Sequence, residues 1–149
     1  VRTKDAAILH QAPETFISMM LLDGVFARHP GLRGAAVELG AGWVPEMLNR
    51  LDETCRIFGR ADESVRFDRK PSEQLTEQMG FTPMHNENIA RIIEQSNEDL
   101  YLFSSDYPHI EGTKDPIGKF ERHIGDASED LKTKFYSENF LRLWPEARA

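Results

Sequence analysis

Three short apolar runs, each closed by polar or glycine-rich residues and then followed by a helical pattern, constrain the fold of this 149-residue chain most. The first, residues 34–39 (GAAVEL), ends in Gly40-Ala41-Gly42. The second, residues 79–84, leads into His85-Asn86-Glu87. The third, residues 100–103, leads into Ser104-Ser105-Asp106-Tyr107-Pro108-His109. Short runs with so little alternation suit strands buried on both faces. The repeating order of strand, loop and helix is that of parallel α/β architecture. It predicts parallel strands over 34–39, 79–84 and 100–105, adjacent in that order and joined by right-handed helical crossovers.

The intervening text supplies the helices. Residues 12–29 carry Phe16, Met19, Met20, Val25 and Phe26, with Pro13 and Glu14 placed for a first turn and His29-Pro30-Gly31 for a stop. From Trp43 to Phe58, Val44, Met47, Leu48, Leu51 and Cys55 recur at helical spacing. Residues 59–70 are dense in charge and predict a surface loop. Pro71-Ser72-Glu73 opens a short helix to Gln78, and Ile89, Ile92 and Ile93 mark another over 87–95. Two more are expected over 116–123 and 128–143. The latter has Leu131, Phe135, Phe140 and Leu143 as its apolar set and stops before Pro145.

Charge and cysteine usage narrow the function. Eighteen basic against 25 acidic residues leave a formal charge of −7 without a basic run, which argues against a nucleic-acid surface. A single cysteine, Cys55, excludes an internal disulfide framework and fits a reducing compartment. No stretch approaches the ~18 apolar residues of a membrane span. The expectation is a soluble, cytoplasmic chain of one domain over residues 1–149. It starts at Val1 without an initiator methionine, so processing, an artificial boundary and an incomplete chain all remain open.

In parallel α/β folds reactive groups collect where strands end and strand-to-helix loops begin. That rule selects Glu38, His85, and Asp106 with His109. Glu38, within an apolar run, is costly unless paired, bound to a cation or satisfied by backbone donors near Gly40–Gly42. Asp106 can bind a divalent cation, accept a proton or cap the next turn. His109 can orient Asp106, touch substrate or be an ordinary loop residue, and His85 ends its own run in the same manner. Trp43 packs over the strand end or forms a substrate wall. The common metal, redox, nucleophile-elbow and dinucleotide motifs HExxH, HxH, CxxC, GxSxG and GxGxxG are absent.

The strings GVFARHPGLRGAAVELGAGWVPEMLNRLDE (24–53), PSEQLTEQ (71–78) and LYLFSSDYPHIEG (100–112), with the closing SENFLRLWP, resemble the C-terminal half of the amidohydrolase-related proteins. The branch is the one that includes the aminocarboxymuconate-semialdehyde decarboxylase type, and the resemblance runs from about residue 12 to about residue 144. It implies an α/β fold that is part of a metal-dependent (β/α)8 barrel, strands six to eight with their helices. It also implies a divalent ion, often zinc, that activates water or polarises substrate. Asp106 matches the eighth-strand metal ligand or proton acceptor, and Glu38 stands where the sixth strand commonly carries a histidine. The family's first-strand HxH pair and fifth-strand histidine have no match here, and a whole barrel needs ~250 residues.

The resemblance therefore implies the C-terminal part of a hydrolase acting on a C–N or C–O bond of a small molecule. Asp106 would serve as ligand and proton acceptor, Glu38 would orient water or substrate, and His109, His85 and Trp43 would bind substrate. Non-oxidative decarboxylation and a non-catalytic barrel remnant acting as an interaction module are the alternatives. With Asp106 as the sole matching ligand, this chain alone is expected not to hold zinc tightly. Partner expectations are the missing barrel half or a second copy, since three strands would expose two sheet edges.

Overall fold

The computed structural model describes residues 3–62, 68–109 and 112–148. Residues 63–67 of the expected surface loop, and Ile110 and Glu111 after the third run, lie outside the described residues. Strand β1 (Gly34–Ala36) pairs in parallel with β2 (Met79–Phe81), in the register Gly34 to Met79, Ala35 to Gly80 and Ala36 to Phe81. The third run joins by a single parallel bridge, Phe81 to Tyr101. Parallel pairing in the expected order is present, but the strands are shorter than expected.

Each run leaves the sheet for a different reason. After Ala36 the chain turns at Glu38, which has a φ of 61°. After β2, Thr82 still donates its N–H to Ala36 O at 3.1 Å, and Pro83 then has no N–H to offer. After Leu102, which donates to Phe81 O at 2.9 Å, Phe103 donates instead to Phe135 O at 3.0 Å.

Helices α1 (Thr3–Ile8), α2 (Gln11–Leu22) and α3 (Val25–Arg28) precede the sheet. The single helix expected over 12–29 breaks at Gly24, whose φ of 69° ends α2 and starts α3. Helices α4 (Val44–Phe58) and α5 (Pro71–Gln78) connect β1 to β2, and α6 (Ile89–Glu94) leads on to Tyr101. Helix α7 (Pro116–Ile124) follows the third run. The helix expected over 128–143 is three pieces: α8 (Glu129–Thr133), a π-helical turn (Lys134–Glu138) and α9 (Asn139–Leu143).

Burial explains two further departures. Helix α2 buries Ile17 and Leu21, while Phe16 and Met19 are exposed. Phe16 and Met20 line an apolar groove with Leu32, Val37 and Leu39 beside β1, which pairs with β2 alone among the described residues. In α9 Leu143 is buried as expected, but Asn139 is buried and Phe140 is not, because the Asn139 side-chain amide donates to Glu98 O at 2.8 Å and Tyr101 O at 2.9 Å. Buried Gln78 acts similarly at the start of β1, donating to His29 O and Leu32 O at 3.0 Å each. Polar side chains thus bond backbone carbonyls at the borders of the short sheet. Phe103, Phe120, Phe135 and Tyr136 form an aromatic cluster whose nearest ring centroids are 5.1 Å apart. No helix among the described residues is long and apolar enough to cross a membrane.

Candidate functional site

The turns that end β1 and the third run meet at one point. Glu38 donates its N–H to Thr82 Oγ1 at 3.0 Å, which sets the first turn against the end of β2. Asp106 has a φ of 53°, the left-handed conformation that aspartate tolerates better than most side chains. The next peptide, Tyr107–Pro108, is cis. His109 then donates its N–H to Asp106 O at 3.0 Å, and Gly112 donates to His109 O at 3.1 Å. Gly112 approaches so closely that a Cβ there would lie 2.5 Å from Asp106 O.

These turns gather Glu38, Asp106 and His109, with one donor atom of each within 4.8 Å of the others. His109 Nδ1 lies 3.1 Å from Asp106 Oδ1 and 3.6 Å from Glu38 Oε1. The Asp106 side chain is 12% exposed, against 45% for Glu38 and 55% for His109. Asp106 Oδ2 is buried and has no hydrogen-bond partner among the described residues. One imidazole nitrogen facing two carboxylates can carry a shared proton; without the proton it offers a lone pair for a cation.

The resemblance singled out Asp106 as ligand, and the fold brings Glu38 and His109 to it. His85 is half-buried and stands outside this group. Trp43 donates its indole N–H to Gly40 O at 2.9 Å. It packs edge-on against Phe81 at 5.6 Å and stacks with His10 at 6.2 Å. That arrangement sets the Trp43 ring against the last residue of β2.

Glu38 does not lie inside a buried strand, as its apolar neighbours suggested, but in an exposed turn beyond β1. The backbone donors at Ala41 and Gly42 are taken by Glu87, a residue that sequence reasoning placed merely at a helix start. Glu87 accepts from Ala41 N at 2.9 Å, Gly42 N at 2.8 Å and Met84 N at 2.7 Å. Helix α6 begins later, at Ile89, with Asn88 Oδ1 accepting from Arg91 N at 3.2 Å. The available signal was the Gly-Ala-Gly turn itself, whose consecutive N–H groups require an acceptor.

Comparison with known proteins assigns a lineage to this arrangement. Residues 6–145 match the amidohydrolase family. Among solved structures, an amidohydrolase from Mycobacterium avium subsp. paratuberculosis K-10 is 28% identical, with a TM-score of 0.75 over 89% of this chain and 33% of that one. A 5-carboxyvanillate decarboxylase from Sphingomonas paucimobilis is 25% identical, with a TM-score of 0.67 over 88% of this chain and 39% of that one. The IDCase of Metarhizium anisopliae, solved in its apo form, is 19% identical, with a TM-score of 0.63 over 91% of this chain and 40% of that one, a likeness of fold. No curated protein matches significantly. The chain spans between a third and two fifths of these structures, a share consistent with part of a barrel. It belongs to the amidohydrolase family.

Proposed function

We propose that this chain is the C-terminal part of a metal-dependent amidohydrolase-type enzyme that hydrolyses a C–N or C–O bond of a small substrate. It would contribute strands six to eight, and the sequence before them would supply the remaining strands and ligands. The observation that carries the reading is the convergence of Glu38, Asp106 and His109, with His109 Nδ1 3.1 Å from Asp106 Oδ1 and with the other oxygen, Oδ2, buried and unpartnered among the described residues. Two carboxylates and an imidazole fit a divalent ion such as zinc, for which three protein ligands with one open position make a catalytic site. The ion, when bound, supplies charge that polarises substrate or water.

The chain's own residues divide the remaining work. His109 would offer Nδ1 as a ligand in the neutral tautomer that carries its proton on Nε2. Asp106 can hold the ion through one oxygen and take a proton on the other, while its burial keeps bulk water away. Glu38, more exposed, is placed to orient water or substrate. His85 and Trp43, near the same ends of the sheet, are candidates for contact with the substrate. The groove beside β1 offers its unpaired edge to the missing barrel half, or to a second copy of the chain.

The test joins this chain to an N-terminal half bearing an HxH pair and a strand-five histidine. Metal content, hydrolysis and carbon dioxide release are then measured together on small carboxylated and cyclic substrates. Retained metal with hydrolysis is the expected result. Carbon dioxide release without addition of water would favour the decarboxylase, the chemistry named for the Sphingomonas neighbour. Failure to retain any divalent ion after chelation and reloading would overturn the metal-dependent reading.

A further inference from the structure

We propose that Glu87 is a positioning residue: its carboxylate, closed on the amides of Ala41, Gly42 and Met84, holds the turn that carries Glu38 beside Asp106 and His109. The inference rests on Glu38 being part of the site. Its own test also stands apart from metal binding.

Both oxygens of Glu87 are engaged. Oε2 accepts from Ala41 N at 2.9 Å and Met84 N at 2.7 Å, and Oε1 accepts from Gly42 N at 2.8 Å. Hydrogen bonds to an ionised acceptor are roughly twice as strong as neutral ones, so this is a firm clamp on three backbone groups. The sequence makes room for it. Gly40 has a φ of 69°, and a Cβ at Gly40 or Gly42 would come within 3.1 or 3.0 Å of Glu87 Oε1. Side chains there would push the carboxylate away, so the Gly-Ala-Gly turn and Glu87 fit as a unit.

The clamp acts on Glu38 from two sides. Ala41 is three residues beyond Glu38. Met84 is two residues beyond Thr82, whose hydroxyl accepts the Glu38 N–H at 3.0 Å. Glu87 therefore ties together both segments that meet at Glu38. The Glu38 carboxylate approaches His109 Nδ1 at 3.6 Å, beyond good hydrogen-bond distance, so its backbone rather than a side-chain contact sets where it sits.

The experiment uses the full chain with Glu87→Ala, Glu87→Gln and a control, Ser72→Ala. The control removes a 2.7 Å hydrogen bond to Asp52 at the start of α5. Amide hydrogen exchange at residues 38–42 is read relative to α4, and Co2+ affinity is titrated alongside. Exchange over 38–42 should quicken by about tenfold or more in both Glu87 variants but not in the control. Co2+ affinity should fall by about 10–100-fold, as for other residues that orient ligands. Formate, which can enter the vacated nest, should restore protection in Glu87→Ala.

Unchanged exchange over 38–42 in the Glu87 variants overturns the proposal whatever Co2+ does. Quickened exchange with undiminished Co2+ affinity also overturns it, leaving Glu87 as a structural clamp alone. If the unaltered chain alone binds no Co2+, the Co2+ titration is made on the chain joined to its N-terminal half and read in the same way, while local quickening reversed by formate supports the hold on the Glu38 turn. Glu87→Gln keeps the shape of the side chain and carries the test if Glu87→Ala does not fold.

Discussion

Replacing Asp106 by asparagine separates what the site does from what the fold needs. Asparagine preserves the shape and accepts the φ of 53° as readily as aspartate. In the unaltered chain the carboxylate is 12% exposed, with Oδ1 3.1 Å from His109 Nδ1 and Oδ2 buried without a partner among the described residues. An orphaned buried acceptor costs about 1–3 kcal/mol, and the asparagine amide leaves an orphaned donor of similar cost in its place. The lost attraction to His109 is worth at most about 1 kcal/mol, because the imidazole is largely exposed. Stability should therefore change by no more than about 1 kcal/mol in either direction.

Binding should change far more, since one of three donors loses its negative charge. We expect Co2+ affinity to fall at least about 100-fold, equivalent to about 2.7 kcal/mol. Urea unfolding of the ion-free chain and a Co2+ titration followed by visible absorption measure the two quantities on the same protein. Binding within about threefold of the unaltered chain, with the fold intact, would refute the assignment of Asp106 as a ligand.

Other outcomes follow from the packing and the ionisable groups. Asn139→Ala strands two carbonyls, Glu98 O and Tyr101 O, and should cost about 2–5 kcal/mol in urea unfolding; a loss under about 1 kcal/mol would contradict the role given to that amide. The Tyr101 phenol is pushed above its ordinary range chiefly by burial, and that of Tyr136 by burial and then by the Glu121 carboxylate. The unfolded chain therefore gives up these protons first, so stability holds below the ordinary phenol pKa of about 10 and declines as pH rises beyond it. Phenolate absorbance measured with circular dichroism should show both tyrosines ionising with loss of structure, and Tyr101→Phe should flatten the decline.

The helices and strand order are legible because they rest on local pattern. Val44, Met47, Leu48 and Leu51 are buried on one side of α4, as their spacing requires. Pro71 starts α5 and Asp115 caps α7, through a hydrogen bond from Gly118 N at 2.9 Å. Apolarity marks the three runs as neighbours in a parallel sheet. It does not mark where they stop: the first gives way to the left-handed turn at Glu38, the second ends before Pro83, and the third leaves when Phe103 donates to the distant Phe135 O.

The candidate site divides along the same line. Residue type and position after a strand identify Glu38, Asp106 and His109 as candidates, since carboxylates and imidazoles at strand ends have few inexpensive roles. Their union depends on two left-handed turns, at Glu38 and Asp106, which no side-chain periodicity encodes. Glu87 shows the limit most clearly. Its neighbours suggest the first turn of a helix, and its partners Ala41 and Gly42 lie more than forty residues away. Local spacing determines which residues can form an element and which chemistry they carry. Contacts between distant segments decide where elements end and which charges meet, because a backbone amide accepts whichever partner the assembled fold brings within reach.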